Sequence, residues 1–508
     1  MQFRFVFIIL LLCSFQAINA KTNKYRLVIN DNPAYNMTIA WNQKSGNNSV
    51  VYYDTIDHGK DFEAYAFLQE VDKKVWYKEM NNHFVNLKNL KASTTYYFVI
   101  NDSDGPSKRF WFKTLSDDNN TPISMIAGGD SRRYGRETGP HEPRIQSNKV
   151  VARIRPDFVA FGGDYTDKDT PAQWANWLND WQYTIGKDGR MTPILPTRGN
   201  HERSNLVMVN LFDVASPEVY YSINIGGDLI RMYTLNVMTS IAGDQTNWLK
   251  KDLEKNRAST IWKLVQYHYS IAPHHSRKTF KQALYRYWAP LFHDYGVQMV
   301  IECDSHVAKN TWPVKPAKGL KSQNGFVRDD ISGTIYTGEG SWGLTRNADV
   351  KYKWTRETAS FTQVKWIKVF KDSIQVYTIL SAKSFLGPSV LDQDRFTLPK
   401  NMKVWKTENG NHFTITRKNP YYEEENKKES QFKLIKNVLL NEDASQLLIN
   451  YSDELNLSYT IYNIKGKALK SGQVKSTIEI KNLKTGHYYL QIWDKSQAVS
   501  ETKVFIKP

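Results

Sequence analysis

Two apolar runs in the first third of the chain lead into the same three residues. Ile123 to Ala127 leads into Gly128-Gly129-Asp130, and Phe158 to Phe161 leads into Gly162-Gly163-Asp164. Buried strands that alternate with helices build an α/β sheet. The pattern continues: Pro193 to Arg198 leads to Gly199-Asn200-His201-Glu202, Leu264 to Tyr267 leads to His268, and Val297 to Glu302 leads to Asp304 and His306. A lone Gly-Asp is an ordinary turn. Five successive strand ends that deliver Asp, Asp, Asn, His and an Asp/His pair are hard to explain by turns, because open α/β sheets place their ligands there.

The intervening segments support this rhythm. Ser147 to Arg155 is predicted as a short helix that stops before Pro156. Thr170 is a good N-cap, Pro171 suits the first helical position, and Trp174, Trp177, Leu178 and Trp181 follow at helical spacing. Phe280, Leu284, Tyr287, Trp288 and Leu291 mark a further helix, and Val364 to Phe370 with Ser373 to Leu380 closes the domain as a strand pair.

A chain of 508 residues is too long for one core. Residues 21–116 carry short alternating runs such as Met37 to Trp41 and Thr95 to Ile100, separated by Asn, Gly and Asp, which predicts an antiparallel β-sandwich. The α/β domain then covers 117–385. Residues 386–431 are polar, with the charge run Glu423 to Glu429, and read as a solvated linker. Alternation returns over 432–508, where a second small β-sandwich is expected.

Arg4, the apolar run Phe5 to Phe15 and the small residues ending at Ala20 read as a secretory signal peptide over residues 1–20. No later run is long enough to span a membrane. Cys13 and Cys303 are the only cysteines, which excludes a disulfide framework and a Cys-rich zinc site, and Cys303 reads as a buried structural thiol. The net charge of +17 is spread along the chain rather than gathered in one motif, so no specific nucleic-acid partner is expected.

Carboxylates, an amide oxygen and imidazoles are ligands for hard or borderline divalent cations. Two cations that share a carboxylate can bind a phosphoryl oxygen and lower the pKa of a bound water. In the order of these motifs the chain resembles the calcineurin-like metallophosphoesterases, and among them the purple acid phosphatases. Gln245 to Leu253 is similar to a helix that these enzymes carry, His306 to Val314 is similar to their ending after Gly-His-x-His, and residues 21–116 are similar to their fibronectin-type N-terminal domain. The resemblance implies one or two metal ions, of iron, manganese, zinc or magnesium. It implies Asp164 as the bridge, Asp130 and His306 on the first metal, and Asn200, His268 and the Asp304 position on the second. His201 would orient ligands, and His274 and His275 would touch the substrate phosphate or protonate the leaving group; the alternative is a pair of surface loop histidines.

Three positions depart from the family pattern. Asp167 stands where the purple enzymes place the iron-bound tyrosine, Arg132 where wider relatives place a histidine, and Asp304 where Gly-His-x-His has its first imidazole. Arg132 is expected to clamp substrate phosphate; the alternatives are that it points into solvent or pairs with a carboxylate such as Asp167. The function expected is an exported phosphoric ester hydrolase, most like an acid phosphatase on phosphomonoesters. A phosphodiesterase or nucleotidase, and a catalytically silent phosphate- or polymer-binding protein, are the alternatives. Tyr459 to Ala468, Ile480 to Leu490 and Lys503 to Lys507 resemble the type A sorting domain of the type IX secretion system, which implies that machinery as a partner and a secreted or cell-surface destination through the periplasm. A carbohydrate-binding or spacer sandwich is the alternative for this module.

Overall fold

The computed structural model describes residues 21–135, 139–422, 435–441, 443–451, 457–464, 466–494 and 499–508. The expected signal peptide, with Cys13, and the charge run Glu423 to Glu429 lie outside the described residues. The chain divides into two compact units, one ending at Tyr422 and one running from Glu423 to Pro508.

In the first unit, two mixed sheets pack face to face with helices on their outer faces. One sheet runs, in spatial order, Phe413–Ile415, Ile374–Leu380, Gln363–Val369, Ile123–Gly128, Phe158–Phe161, Ile194–Pro196, Thr22–Val28, Met37–Gln43, Met80–Leu87 and Lys73–Tyr77. The other runs Tyr221–Ile225, Ile230–Thr234, Trp262–Tyr269, Met299–Cys303, Ile335–Gly338, Ala308–Thr311 and Thr355–Ala359. Alternation decides which face each side chain serves. Ile123, Met125 and Ala127 join Leu264, Met299 and Ile301 in the core between the sheets. Ile126 points the other way, onto the helices Glu142–Ile154 and Pro171–Trp181. The second sheet likewise sends Val265, Tyr267 and Val300 outward onto Leu249, Leu253, Trp288 and Phe292.

The helix Pro171–Trp181 starts as predicted, with Thr170 Oγ1 accepting the Gln173 N–H at 3.3 Å and Pro171 at the first turn. Its tryptophans are fully buried against Phe161 and Tyr165. Truncating one of them to Ala costs about 3–5 kcal/mol through lost contacts and a residual cavity. The helix predicted around Phe280 to Leu291 is instead two short ones, Gln282–Tyr287 and Ala289–Asp294. Pro290 has no N–H to continue the first, so the chain restarts at Trp288.

Residues 21–116 form a β-sandwich whose core sets Leu27, Ile39, Trp41 and Val85 against Val51, Phe98, Ile100 and Phe112. One of its sheets is continuous with the first α/β sheet, because Thr22–Val28 pairs in parallel with Ile194–Pro196 at Val28↔Ile194. The expected linker is ordered against this unit up to Tyr422. Phe413–Ile415 adds an edge strand to Ile374–Leu380, Arg153 donates to the Pro388 and Lys400 carbonyls, and Asn419 donates to the Thr260 carbonyl. The second unit has its own core of Leu447, Ile449, Leu457, Ile461, Ile478, Leu490 and Ile492 between two antiparallel sheets. No helix among the described residues is long and apolar enough to cross a membrane.

Candidate metal centre

The strand ends of both sheets meet at one place. Asp130, Asp164 and Asn200 come from the first sheet, and His268, Asp304 and His306 from the second. Asp130, Asp164, Asp304 and His306 have φ of 58°, 55°, 75° and 62°. This left-handed conformation costs energy for residues other than glycine and is retained where the surroundings over-determine it. The turns interlock, with Asp130 N–H donating to the Gly163 carbonyl at 3.0 Å and Ser131 N–H to the Asp164 carbonyl at 3.1 Å. Glycine is required at 129 and 162, because a Cβ there would lie 2.8 and 2.2 Å from Cys303 Sγ. Cys303 is fully buried, and burial pushes its thiol pKa up to about 12, as suits a packing thiol.

His268 Nε2 lies 3.1 Å from Asn200 Oδ1, 3.2 Å from Asp164 Oδ1 and 3.8 Å from Asp304 Oδ1. Across the centre, His306 Nε2 is 3.1 Å from Asp130 Oδ1, and one ligand atom from each of Asp130, Asp164 and His306 lies within 4.8 Å of the others. All six side chains except Asn200 are almost fully buried. Burial alone would raise the Asp164 pKa, but His268, His201 and Arg132 outweigh it and hold the carboxyl well below the usual range. Burial keeps His306 below the ordinary imidazole range despite Asp130, which favours the neutral ring that coordination needs. Asp130 Oδ1 and Asp304 Oδ2 are buried carboxylate oxygens with no hydrogen-bond partner. Such oxygens are costly unless a cation satisfies them, so the donor set fits a metal ion.

Two expected roles change. His274 has no ring nitrogen to offer: Nδ1 faces Glu339 Oε1 at 3.2 Å, Nε2 faces Thr355 Oγ1 at 2.8 Å, and the ring is buried against Tyr352 and Trp354. It belongs to a polar core network, not to a substrate loop. Arg132 is not a free phosphate clamp. It is buried, not solvent-facing: its Nε is 3.2 Å from Asp164 Oδ2 and its Nη1 donates to Asp167 Oδ1 at 2.7 Å, so it pairs with Asp167, one of its expected fates, and with Asp164 as well. His275 is mostly buried, and its Nδ1 lies 2.9 Å from the Asn347 carbonyl. His201 keeps a partly open ring, with Nδ1 2.6 Å from the Asp167 carbonyl and Nε2 3.7 Å from Asp164 Oδ2, while its N–H donates to Asp164 Oδ1 at 3.0 Å.

Two further residues join the site. Glu202 accepts the Gly199, Asp164 and Tyr165 N–H groups at 2.8, 2.9 and 2.9 Å, tying two ligand turns together. Its place in Gly199-Asn200-His201-Glu202 was the available signal. Lys278 Nζ donates to Asp304 Oδ1. A lysine in a polar loop among many other lysines carries no sequence signal.

Residues 140–308 match the calcineurin-like phosphoesterase family, a stretch that holds Asp164, Asn200, His268, Asp304 and His306. The chain carries a calcineurin-like phosphoesterase domain. Residues 22–114 match the purple acid phosphatase N-terminal domain, and residues 442–507 the secretion system C-terminal sorting domain. Among curated relatives, purple acid phosphatase 15 of Arabidopsis thaliana is 25% identical over 306 residues, covering 51% of this chain and 56% of the plant protein. The chain thus spans about half the length of that relative. Human acid phosphatase type 7 is 23% identical over 306 residues, covering 55% of this chain and 68% of its own. Two solved structures share the fold. A purple acid phosphatase from yellow lupin seeds superposes with a TM-score of 0.56 at 15% identity, over 78% of this chain and 75% of its own. The structure of PhoD superposes with a TM-score of 0.54 at 9% identity, over 79% and 91%.

Proposed function

We propose that the protein is an exported, metal-dependent phosphoric ester hydrolase that acts on phosphomonoesters. The observation that carries this reading is the convergence of Asp130, Asp164, Asn200, His268, Asp304 and His306 from two sheets on one buried, oxygen-rich cluster inside a phosphoesterase domain. A metal ion bound there supplies an acidified water and positive charge for the phosphoryl oxygens. His268 Nδ1 is anchored on the Gly162 carbonyl at 2.8 Å, which aims Nε2 at Asn200 and Asp164 at 3.1 and 3.2 Å, and Glu202 braces the turns that carry them. His201 is the best-placed proton carrier of the site, since its ring is partly open and its Nδ1 is anchored on a backbone carbonyl. The names of the relatives, which are acid phosphatases, support the monoester reading.

A second reading is a catalytically silent phosphate binder. It is favoured by one observation: Arg132 and Lys278 already neutralise Asp164, Asp167 and Asp304. Turnover of p-nitrophenyl phosphate, bis-p-nitrophenyl phosphate and a nucleotide, before and after chelation, separates the readings. Monoester turnover that a chelator abolishes and a divalent metal restores is the expected result. No turnover of any ester with metal supplied defeats the hydrolase. For the sorting tail, we propose recognition by the type IX secretion machinery and release to the cell surface or medium, on the strength of its family match.

A further inference from the structure

Two cations lie inside the cluster: Arg132 contacts Asp164 and Asp167, and Lys278 contacts Asp304. Their bearing on how many ions the site takes rests on the cluster being the metal centre proposed above.

We propose that the centre is built for one divalent cation, held by Asp164, Asn200, His268 and Asp304, with the Arg132 guanidinium fixed in the place of a second. The guanidinium is almost fully buried, and it lies on the atoms a second ion would need. Nε is 3.2 Å from Asp164 Oδ2, Nη1 is 2.7 Å from Asp167 Oδ1 and Nη2 is 3.5 Å from His306 Nε2. Two of these are charge-assisted contacts from a rigid fork that cannot lose its proton. A metal ion bound to the same Asp164 and His306 would face that fixed positive charge at short range in a poorly solvated site.

The Asn200–His268 side is where the single ion fits. It sets the Asn200 amide oxygen and an Asp164 carboxylate oxygen at 3.1 and 3.2 Å from His268 Nε2, and Lys278 engages only Oδ1 of Asp304 and leaves Oδ2 unpartnered. On the opposite side, His306 Nε2 lies 3.1 Å from Asp130 Oδ1 and 3.5 Å from Arg132 Nη2, so the guanidinium crowds the atoms a second ion would use.

The test is metal stoichiometry on the chelator-stripped full-length protein. Mn2+ and Zn2+ are titrated calorimetrically, and bound metal is counted by elemental analysis after desalting. About one ion per chain is expected for each metal. Two tightly held ions per chain, or none, would overturn the proposal. His268→Gln should lose the ion and Asp130→Asn should keep it; the reverse pattern overturns the assignment of sides. Arg132→Met should admit a second ion, raising the count towards about two at saturating metal. If the variant does not fold, the wild-type count and the other two variants still decide. Failure here is distinct from failure of the hydrolase reading: two ions with metal-dependent turnover sinks only the inference, and one ion without turnover sinks only the activity.

Discussion

Asp164 carries more obligations than any other residue of the site. One oxygen accepts the His201 N–H at 3.0 Å and faces His268 at 3.2 Å, and the other faces Arg132 at 3.2 Å. Replacing Asp164 by Asn removes the anion while keeping the shape, so turnover should fall by about 100-fold or more with little change in melting temperature. An activity within a few-fold of wild type in a folded Asp164→Asn protein would show that the carboxylate holds no metal. His274 provides the contrast. Both of its ring nitrogens serve the core, so His274→Gln should lower stability, by about 1–3 kcal/mol for a buried group left unsatisfied, and leave KM for the monoester unchanged. A large rise in KM at unchanged stability would return His274 to the substrate site. The chain sequence could place Asp164, because a strand followed by Gly-Gly-Asp is a local pattern. It could not assign His274, whose partners Glu339 and Thr355 are 65 and 81 residues away in sequence.

The elements that sequence pattern reveals are those whose burial is apolar. Ile123–Gly128, Phe158–Phe161 and Pro171–Trp181 announce themselves by runs or spacing of large apolar residues. Ala308–Thr311 does not. Its residues Ala308, Lys309, Asn310 and Thr311 are all buried, yet its character is polar because it lies in an internal network. Lys309 Nζ lies 2.5 Å from Glu302, 2.7 Å from Glu339 and 3.0 Å from Ser270, and all four side chains are buried. Burial would lower the lysine pKa, but Glu302 and Glu339 outweigh it and keep the ammonium charged. Glu302 comes just before Cys303 and Asp304, and the Glu339 carbonyl accepts the His306 N–H at 2.8 Å, so this network lies directly under the ligand turns. Lys309→Met strands two buried carboxylates and should cost about 3–5 kcal/mol in urea unfolding. A loss under about 1 kcal/mol would mean that water or a proton already compensates them.

At the scale of the whole molecule, the boundary that matters is Tyr422. Polar composition over 386–431 suggested a solvated linker, but polarity there reflects side chains that hydrogen-bond to the unit's surface. Asn419 alone donates to the Arg257 and Thr260 carbonyls, and Tyr422 Oη donates to Asp228 at 2.8 Å. Cutting within 386–422 therefore removes part of the first unit, whereas cutting after Tyr422 removes a module with a core of its own. That module is closed by its last residues, since Lys507 Nζ donates to the carbonyls of Ile480, Lys481 and Leu483 at 2.7, 2.9 and 2.8 Å. A chain ending at Tyr422 should keep the melting transition and the ester turnover of the first unit within error, while a chain ending at Ser384 should lose stability, because Phe413–Ile415 and two of the carbonyl acceptors of Arg153, those of Pro388 and Lys400, are removed. If residues 423–508 act as a secretion address, the chain ending at Tyr422 should accumulate in the periplasm, and cell fractionation with an activity assay on each fraction reads the outcome. Export at the full-length level after truncation would defeat the address, and loss of folding in the truncated chain would show that the second unit is needed for the fold.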